Sequence, residues 1–344
     1  MSAGANANRT LPPRAAEGIA CVVTGMILFV GQDGLMKALI GEAPVWMLMA
    51  LRGITALIVL TPMIIYLGPP HRFRTPLWPL HLLRAALFGF GFSMFYAAFP
   101  FMGLADVTTI FFSAPLMIAL LAAVFLGESV GIHRISALVV GFAGVLIAMN
   151  PNFSEFDWVT LLPVICAFSY ACGQVLARRI GDHDTTLTTG LYTIALSSAL
   201  VLPVGWLLNQ WFDFSGEFAH LGWWMPRPQG NAGWMLALLG LNGMIAYLLI
   251  SRAYQITSAS LVAPFDYIYL PFATAMAWIV WAEVPSTNTL IGMVLIMASG
   301  LYVGYRELRV TGDEGETLLV AQSSIAPGNP TAPMPVHADI EPDA

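Results

Sequence analysis

The sequence predicts an all-α integral membrane protein in which ten transmembrane helices form two inverted five-helix repeats. Three observations predict it. Ten apolar stretches, each about the length of a bilayer crossing, follow one another almost without interruption from Glu17 to Tyr305. Hydrophobic residues make up 58% of the chain and charged residues only 10%, with a mean hydropathy of +0.74, a composition suited to a hydrocarbon solvent. The fourth and ninth stretches share one pattern, a proline about half a span ahead of a terminal glutamate: Pro115 with Glu128, and Pro271 with Glu283.

The spans follow in order. A polar, Arg-containing segment over 1–15 precedes a first span at 17–38, which is too long for a signal-peptide apolar region and reads as a permanent helix. The second, 44–67, stops at Gly68-Pro69-Pro70; the third lies at 79–100 and the fourth at 104–126. The fifth, 132–149, ends at Asn150-Pro151-Asn152, and the sixth, 157–179, ends before Gly181-Asp182. The seventh, 186–209, leads into the longest connection, near Gln210 to Gly230. The eighth and ninth lie at 232–254 and 258–281, and Val284-Pro285-Ser286 separates them from the tenth at 287–305. Helices are required because twenty apolar residues cannot leave backbone N–H and C=O groups unpaired in lipid, and the alternation of a barrel strand is absent. From Thr311 the chain is rich in Pro, Ala, Asp and Glu without apolar period, so 311–344 reads as a disordered cytoplasmic tail. Cys21, Cys166 and Cys172 fall inside apolar spans and read as small hydrophobes.

Lys and Arg set the orientation. In a ten-span chain Arg9, Arg14, Arg72, Arg74, Arg134, Arg178, Arg179, Arg252, Arg306 and Arg309 share one side, whereas the opposite loops hold Arg227 alone, so both termini are expected in the cytoplasm. The opposite loops carry Glu42, Glu155, Asp157, Asp213 and Glu217, and the longest adds Trp211, Trp223, Trp224 and Trp234 as an interfacial belt. The expected location is the inner membrane of a bacterium.

The two halves echo each other over 16–150 and 156–307. Gly141, Gly144 and Asn150 in the fifth span answer Gly292, Gly300 and Gly304 in the tenth, and Asp33 with Lys37 in the first pairs more loosely with Gln174 and Arg178 in the sixth. Five is odd, so the second copy enters from the opposite side, the arrangement used for alternating access. The strings Asp33-Gly34-Leu35-Met36-Lys37, Leu51-Arg52, Leu104-Ala105-Asp106-Val107-Thr108-Thr109, Phe125-Leu126-Gly127-Glu128 and Ala263-Pro264-Phe265-Asp266-Tyr267 resemble the drug/metabolite transporter superfamily, specifically its EamA-type ten-helix members. The resemblance implies a central cavity lined mainly by the third, fourth, eighth and ninth helices with the first and sixth, and peripheral fifth and tenth helices.

Five ionisable residues fall in or near the spans: Asp33, Lys37, Arg52, Asp106 and Asp266. An Asp, Lys or Arg at the centre of a span costs about 2.5–3.5 kcal/mol on insertion scales, so each needs a partner or water. Asp106 opens the fourth helix, where an acid suits the helix dipole. Asp33 and Lys37 stand four apart in the order favourable for an ion pair, and with Arg52 at similar depth they read as a structural cluster or a gate; a substrate-headgroup contact is the alternative. Asp266, between Pro264 and Pro271 and flanked by Tyr267 and Tyr269, reads as a cavity carboxylate that binds a cation or carries a proton, against a structural hydrogen bond. Further cavity candidates are Tyr96, Thr109, Phe112 and Ser113 with Thr108 in the first half, and Gln174, Asn242 and Tyr247 with Tyr170 in the second. For any one of these, helix back-bonding or interfacial anchoring is the plainer reading.

No H-E-x-x-H, G-x-S-x-G or phosphate-cradling Gly-Lys loop occurs, so neither enzyme chemistry nor ATP-driven pumping is indicated, and no ring of like charges suggests a channel. The expected function is secondary transport of a small amphipathic or zwitterionic metabolite, such as an amino acid, amine or nucleoside-like compound. Export is favoured over uptake and proton coupling is open. A non-transporting receptor or scaffold is the rival class. Expected partners are the solute and the lipid bilayer, with a homodimer open; no cofactor, metal or nucleic acid is expected.

Overall fold

The computed structural model describes residues 15–126, 131–149, 157–181, 183–224, 231–257 and 262–314. Glu128, Asn150, Glu155, the N-terminal segment through residue 14 and the tail beyond 314 lie outside the described residues. Eleven α-helices are described: α1 (Ala15–Leu39), α2 (Val45–Leu67), α3 (Trp78–Ala97), α4 (Leu104–Phe111), α5 (Ala114–Leu126), α6 (Ile132–Met149), α7 (Leu161–Gly181), α8 (Thr186–Trp211), α9 (Ala232–Ile256), α10 (Tyr269–Trp281) and α11 (Thr287–Glu314). Short 3-10 segments lie at Trp158–Thr160, Gly216–Leu221 and Ala263–Ile268. Among the described residues, eight helical stretches are long and apolar enough to cross a membrane, with α4 and α5 forming one of them, and Ile135–Met149 is a shorter apolar helix.

Two predicted spans are broken where the sequence has proline. The fourth is interrupted at Phe112-Ser113, because Pro115 has no N–H to donate to the carbonyl of Phe111 and restricts the residue before it. Within the ninth, the Ala263–Ile268 3-10 segment gives way to α-helix at Tyr269, two residues before Pro271. Asp266 therefore sits on a 3-10 turn, not on the α-helix expected from the sequence. Elsewhere capping sets the ends. Thr185 accepts from the Thr188 N–H at 3.3 Å to open α8, and Asp157 accepts from the Val159 N–H at 2.9 Å ahead of α7. The last helix continues to Glu314, past the expected end at 305.

The bundle turns large apolar side chains outward and buries several polar ones among an apolar core. Ile58, Ile65, Tyr66, Val124, Val139 and Ile279 face outward, while Gln32, Asp33, Arg52, Arg84, Thr193 and Asp266 are buried. In packing, α1 lies on α9, α3 on α7 and α8, α2 on α8 and α9, α4 and α5 on α7, and α10 on α1 and α4; α6 and α11 pair chiefly with each other. The α6–α11 pair is a backbone contact. A Cβ on Gly292 would stand 2.5 Å from the Gly144 carbonyl, and one on Gly144 would stand 3.0 Å from the Gly292 carbonyl. Gly300 leaves room for the Tyr267 hydroxyl, whereas Gly304 has nothing within 4 Å of its Cβ position.

Connections are fastened as well as helices. The indole N–H of Trp46 donates to Leu221 O at 2.8 Å, and His220 Nε2 lies 3.1 Å from Ala97 O, so the Gly216–Leu221 segment is held over α2 and α3. At the opposite end Thr75 Oγ1 donates to Asp184 Oδ2 at 2.5 Å, His81 Nε2 lies 3.1 Å from the same oxygen, and His71 Nδ1 meets Thr185 Oγ1 at 2.8 Å. The α2–α3 connection is thereby locked to the α7–α8 turn.

Gly292→Leu is expected to lower the melting temperature of the detergent-purified protein by several degrees, the effect of about 1–3 kcal/mol of overpacking, while Gly304→Leu leaves it unchanged. Burial holds the pKa of His71 and His220 below the ordinary imidazole value. The unfolded chain thus binds their protons first on acidification, so thermal stability is expected to be flat above about pH 6.5 and to fall below it, less steeply in His220→Gln.

Candidate functional site

One carboxylate organises the interior. Asp33, on the second half of α1, is fully buried and accepts one phenol on each oxygen: Tyr96 Oη donates to Oδ1 at 2.8 Å, and Tyr269 Oη donates to Oδ2. Tyr96 belongs to the last turn of α3, and Tyr269 is the residue at which the 3-10 segment becomes α10. Arg52 on α2 donates from Nη1 to Tyr96 Oη at 2.8 Å, so a three-group chain runs from guanidinium through phenol to carboxylate. The guanidinium carbon lies 5.8, 5.9 and 5.6 Å from the ring centroids of Phe88, Phe92 and Tyr96. Phe112, at the break between α4 and α5, stands 5.5 Å from the Tyr269 ring and 5.8 Å from that of Tyr267. Five predicted site residues, Asp33, Arg52, Tyr96, Phe112 and Tyr269, thus meet at one place, supplied by both halves of the chain.

Lys37 does not join them. Its Nζ lies 2.5 Å from Glu283 Oε1 and 3.4 Å from Met102 O, and Glu283 Oε2 accepts from the Leu104 N–H at 3.1 Å. Both Asp33 oxygens are taken by tyrosines, while a left-handed Ala282, with φ of 54°, turns the chain back at the end of α10. The expected i, i+4 pair therefore gives way to a tertiary one, and Arg52 reaches Asp33 only through Tyr96. Asp106 accepts from Thr289 Oγ1 at 2.6 Å, tying α4 to α11.

Asp266 is separate from this chain of groups. It is buried, and Tyr254 Oη on α9 donates to its Oδ2 at 3.3 Å. Tyr267 is buried beside Gly300. Thr109 and Thr108 donate to Ala105 O and Leu104 O at 2.7 and 2.8 Å, the plainer helix reading. Asn242 donates to Leu28 O at 2.7 Å and so fastens α9 to α1. Ser113 is buried at the α4–α5 break, its hydroxyl without a hydrogen bond among the described residues, and Gln174 is buried on α7. Tyr247 donates to Thr186 O at 2.9 Å.

Between α1, α2, α3, α8 and α9 lies a cavity of about 30 Å³, reached by Gln32, Arg52, Ser197, Ser198 and Tyr247. That volume holds one or two waters. A larger groove of about 690 Å³ between α2 and α8 opens outward and is lined by Met47, Leu51, Ile54, Leu202, Pro203 and Trp206, apolar and Trp side chains that offer a polar solute little. Among the described residues no three His, Cys, Asp or Glu side chains converge to hold a metal.

Sequence reasoning missed Arg84. It is buried on α3 and donates to Gly173 O at 3.3 Å and to Thr193 Oγ1. Its signal was a cation five residues inside the span that starts at 79, which reads as interfacial because the first turn of a span borders water. Gln32, Ser197 and Ser198 were also missed, since no local pattern distinguishes a cavity hydroxyl or amide from a packed one.

One solved crystal structure superposes with a TM-score of 0.56 at 19% identity over 86% of this chain and 99% of its own, a likeness of fold. The chain is 29% identical over 254 residues to the riboflavin transporter of Vibrio cholerae, covering 72% of this chain and 78% of that protein. It is 25% identical to the S-adenosylmethionine uptake transporter of Rickettsia bellii over 73% and 80% of the two chains. The pseudopaline exporter of Pseudomonas aeruginosa is 25% identical over 64% and 73%. The sequence profile of the EamA-like transporter family matches residues 16–150 and again 157–305. With those matches on a bundle of apolar helices, the chain belongs to the EamA-like transporter family of the drug/metabolite transporter superfamily: a multi-pass membrane transporter of small molecules, not an enzyme.

Proposed function

We propose that the protein is a secondary carrier of a small amphipathic or zwitterionic metabolite, working by alternating access between inverted five-helix repeats at 16–150 and 156–307 in a bacterial inner membrane, with both termini cytoplasmic. The packing map supports the repeat. Exchanging each element of one half for its counterpart turns the α1–α9 contact into α7–α3 and the α2–α9 contact into α8–α3, and returns α2–α8 and α6–α11 to themselves. The fourth and ninth spans, counterparts in this exchange, are both broken just ahead of a proline. The positive-inside distribution of arginines supports the orientation, and the bacterial relatives support the location.

The observation that carries the reading is the buried Arg52–Tyr96–Asp33–Tyr269 chain beside a small central cavity. Charges at membrane depth are costly, and a bundle needing only adhesion would use apolar contacts. The cavity is far smaller than the roughly 300–1,000 Å³ of a metabolite site, so the structure corresponds to a closed state. Polar latches stand at both ends, Lys37–Glu283 at one and Thr75–Asp184–His81 at the other, and opening one while keeping the other admits solute from one side at a time. Asp266, with Tyr254, is the coupling carboxylate in this reading. The substrate class is supported by the relatives' names, since S-adenosylmethionine is a nucleoside that carries an amino-acid zwitterion. Export is the direction the family resemblance favours. Uptake is the alternative, and the name of the Rickettsia relative favours it.

Purified protein in liposomes is expected to give saturable flux of labelled riboflavin or S-adenosylmethionine; binding without flux would identify a receptor instead. Asp33→Asn is expected to lower that flux about tenfold, the equivalent of one lost charge-assisted hydrogen bond of about 1.5 kcal/mol, with the melting temperature checking that the variant folds. Asp266→Asn is expected to flatten the pH dependence of flux, and an unchanged profile removes Asp266 from coupling.

A further inference from the structure

Arg52 is bonded unequally. A guanidinium has five N–H donors, and among the described residues this one makes a single hydrogen bond, from Nη1 to Tyr96 Oη. Its nearest acid, Asp33, already accepts from two phenols and stands one hydrogen bond away. No Asp or Glu among the described residues forms an ion pair with Arg52. The side chain is nonetheless buried and reaches the central cavity, where its neighbours are Gln32, Ser197, Ser198 and Tyr247. Glycines keep that wall open: a Cβ on Gly243 would fall 1.6 Å from Gln32 Oε1, and one on Gly53 would fall 1.7 Å from Ser198 Oγ. A wall with an under-used planar cation, an amide and two serine hydroxyls beside the Tyr247 ring, and no acid of its own, is built for an anion.

We infer that Arg52 is the specificity residue for a carboxylate on the transported solute, the carboxylate replacing cavity water and pairing with the guanidinium while Gln32 and Ser198 supply further donors. This rests on the carrier reading above and names the chemistry of its substrate. The fork of N–H groups suits a carboxylate bidentately, and the Phe88 and Phe92 rings hold its plane. The substrate class is therefore an amino-acid-type zwitterion, and its decarboxylated amine is rejected because it offers no acceptor to the Arg52 donors that Tyr96 leaves unused.

Matched pairs test this: S-adenosylmethionine against its decarboxylated analogue, and tryptophan against tryptamine, by thermal-shift titration of the detergent-purified full chain and by proteoliposome flux. At least one acid is expected to stabilise the wild type and to cross the membrane, with its amine binding at least tenfold more weakly. Arg52→Lys keeps the charge but loses the fork, and is expected to weaken binding of the acid about tenfold while leaving the amine unchanged. Equal binding of acid and amine to the wild type, which needs no variant, would overturn the inference. So would an acid affinity unchanged in folded Arg52→Lys, or no response to either acid. Binding of the acid without flux would instead retain the subsite and remove the carrier reading.

Discussion

The structure turns on keeping Asp33 in the middle of a lipid-facing bundle. A carboxylate there has exchanged water for hydrocarbon, and the exchange is tolerable only if both oxygens are satisfied and a positive charge is near. Two phenols supply the first and Arg52, through Tyr96, the second. These donors come from α3, α10 and α2, so no single helix or hairpin can solvate Asp33. Asp33 finds these partners only when α1, α2, α3 and α10 are assembled, which makes one buried residue a constraint on much of the bundle.

The breaks in the fourth and ninth spans follow from that demand. Tyr269 reaches Asp33 from the residue at which the 3-10 segment gives way to α10, and Phe112 meets Tyr269 from the matching discontinuity between α4 and α5. Proline creates both breaks by removing a backbone donor, and non-helical backbone at this depth is tolerated because it is covered by protein. The glycines at the α6–α11 contact act in the other direction. They bring two backbones together where lipid gives no hydrophobic drive for association and close packing must serve.

The polar contacts at the two ends differ in burial: Glu283, paired with Lys37, is partly exposed, whereas Asp184 with Thr75 and His81 is as buried as the central chain of groups. The Lys37–Glu283 contact is therefore cheaper to break than the buried ones, because water is ready to replace a lost partner of Glu283. The relatives in this family of transporters handle quite different solutes.

Much of this was legible beforehand, unevenly. The order of the apolar segments could be read because hydropathy acts locally, whereas the breaks in the fourth and ninth spans could not, since each reads as one continuous apolar run with a proline inside it. Asp33, Arg52, Tyr96, Phe112 and Tyr269 could each be singled out as polar or aromatic groups in the wrong solvent. Their partnership could not: Lys37 was assigned to Asp33 four residues away and belongs to Glu283, 246 residues away, while Tyr269 binds Asp33 from 236 residues away. Arg84 went unread, and Asp266 was assigned to a helix it only precedes. Lipid is the physical reason. In water an apolar stripe tells which face of a helix is inside; these helices are apolar on all sides, so the chain marks which segments enter the membrane, and packing alone determines which side of each turns inward and which distant donor meets which acid.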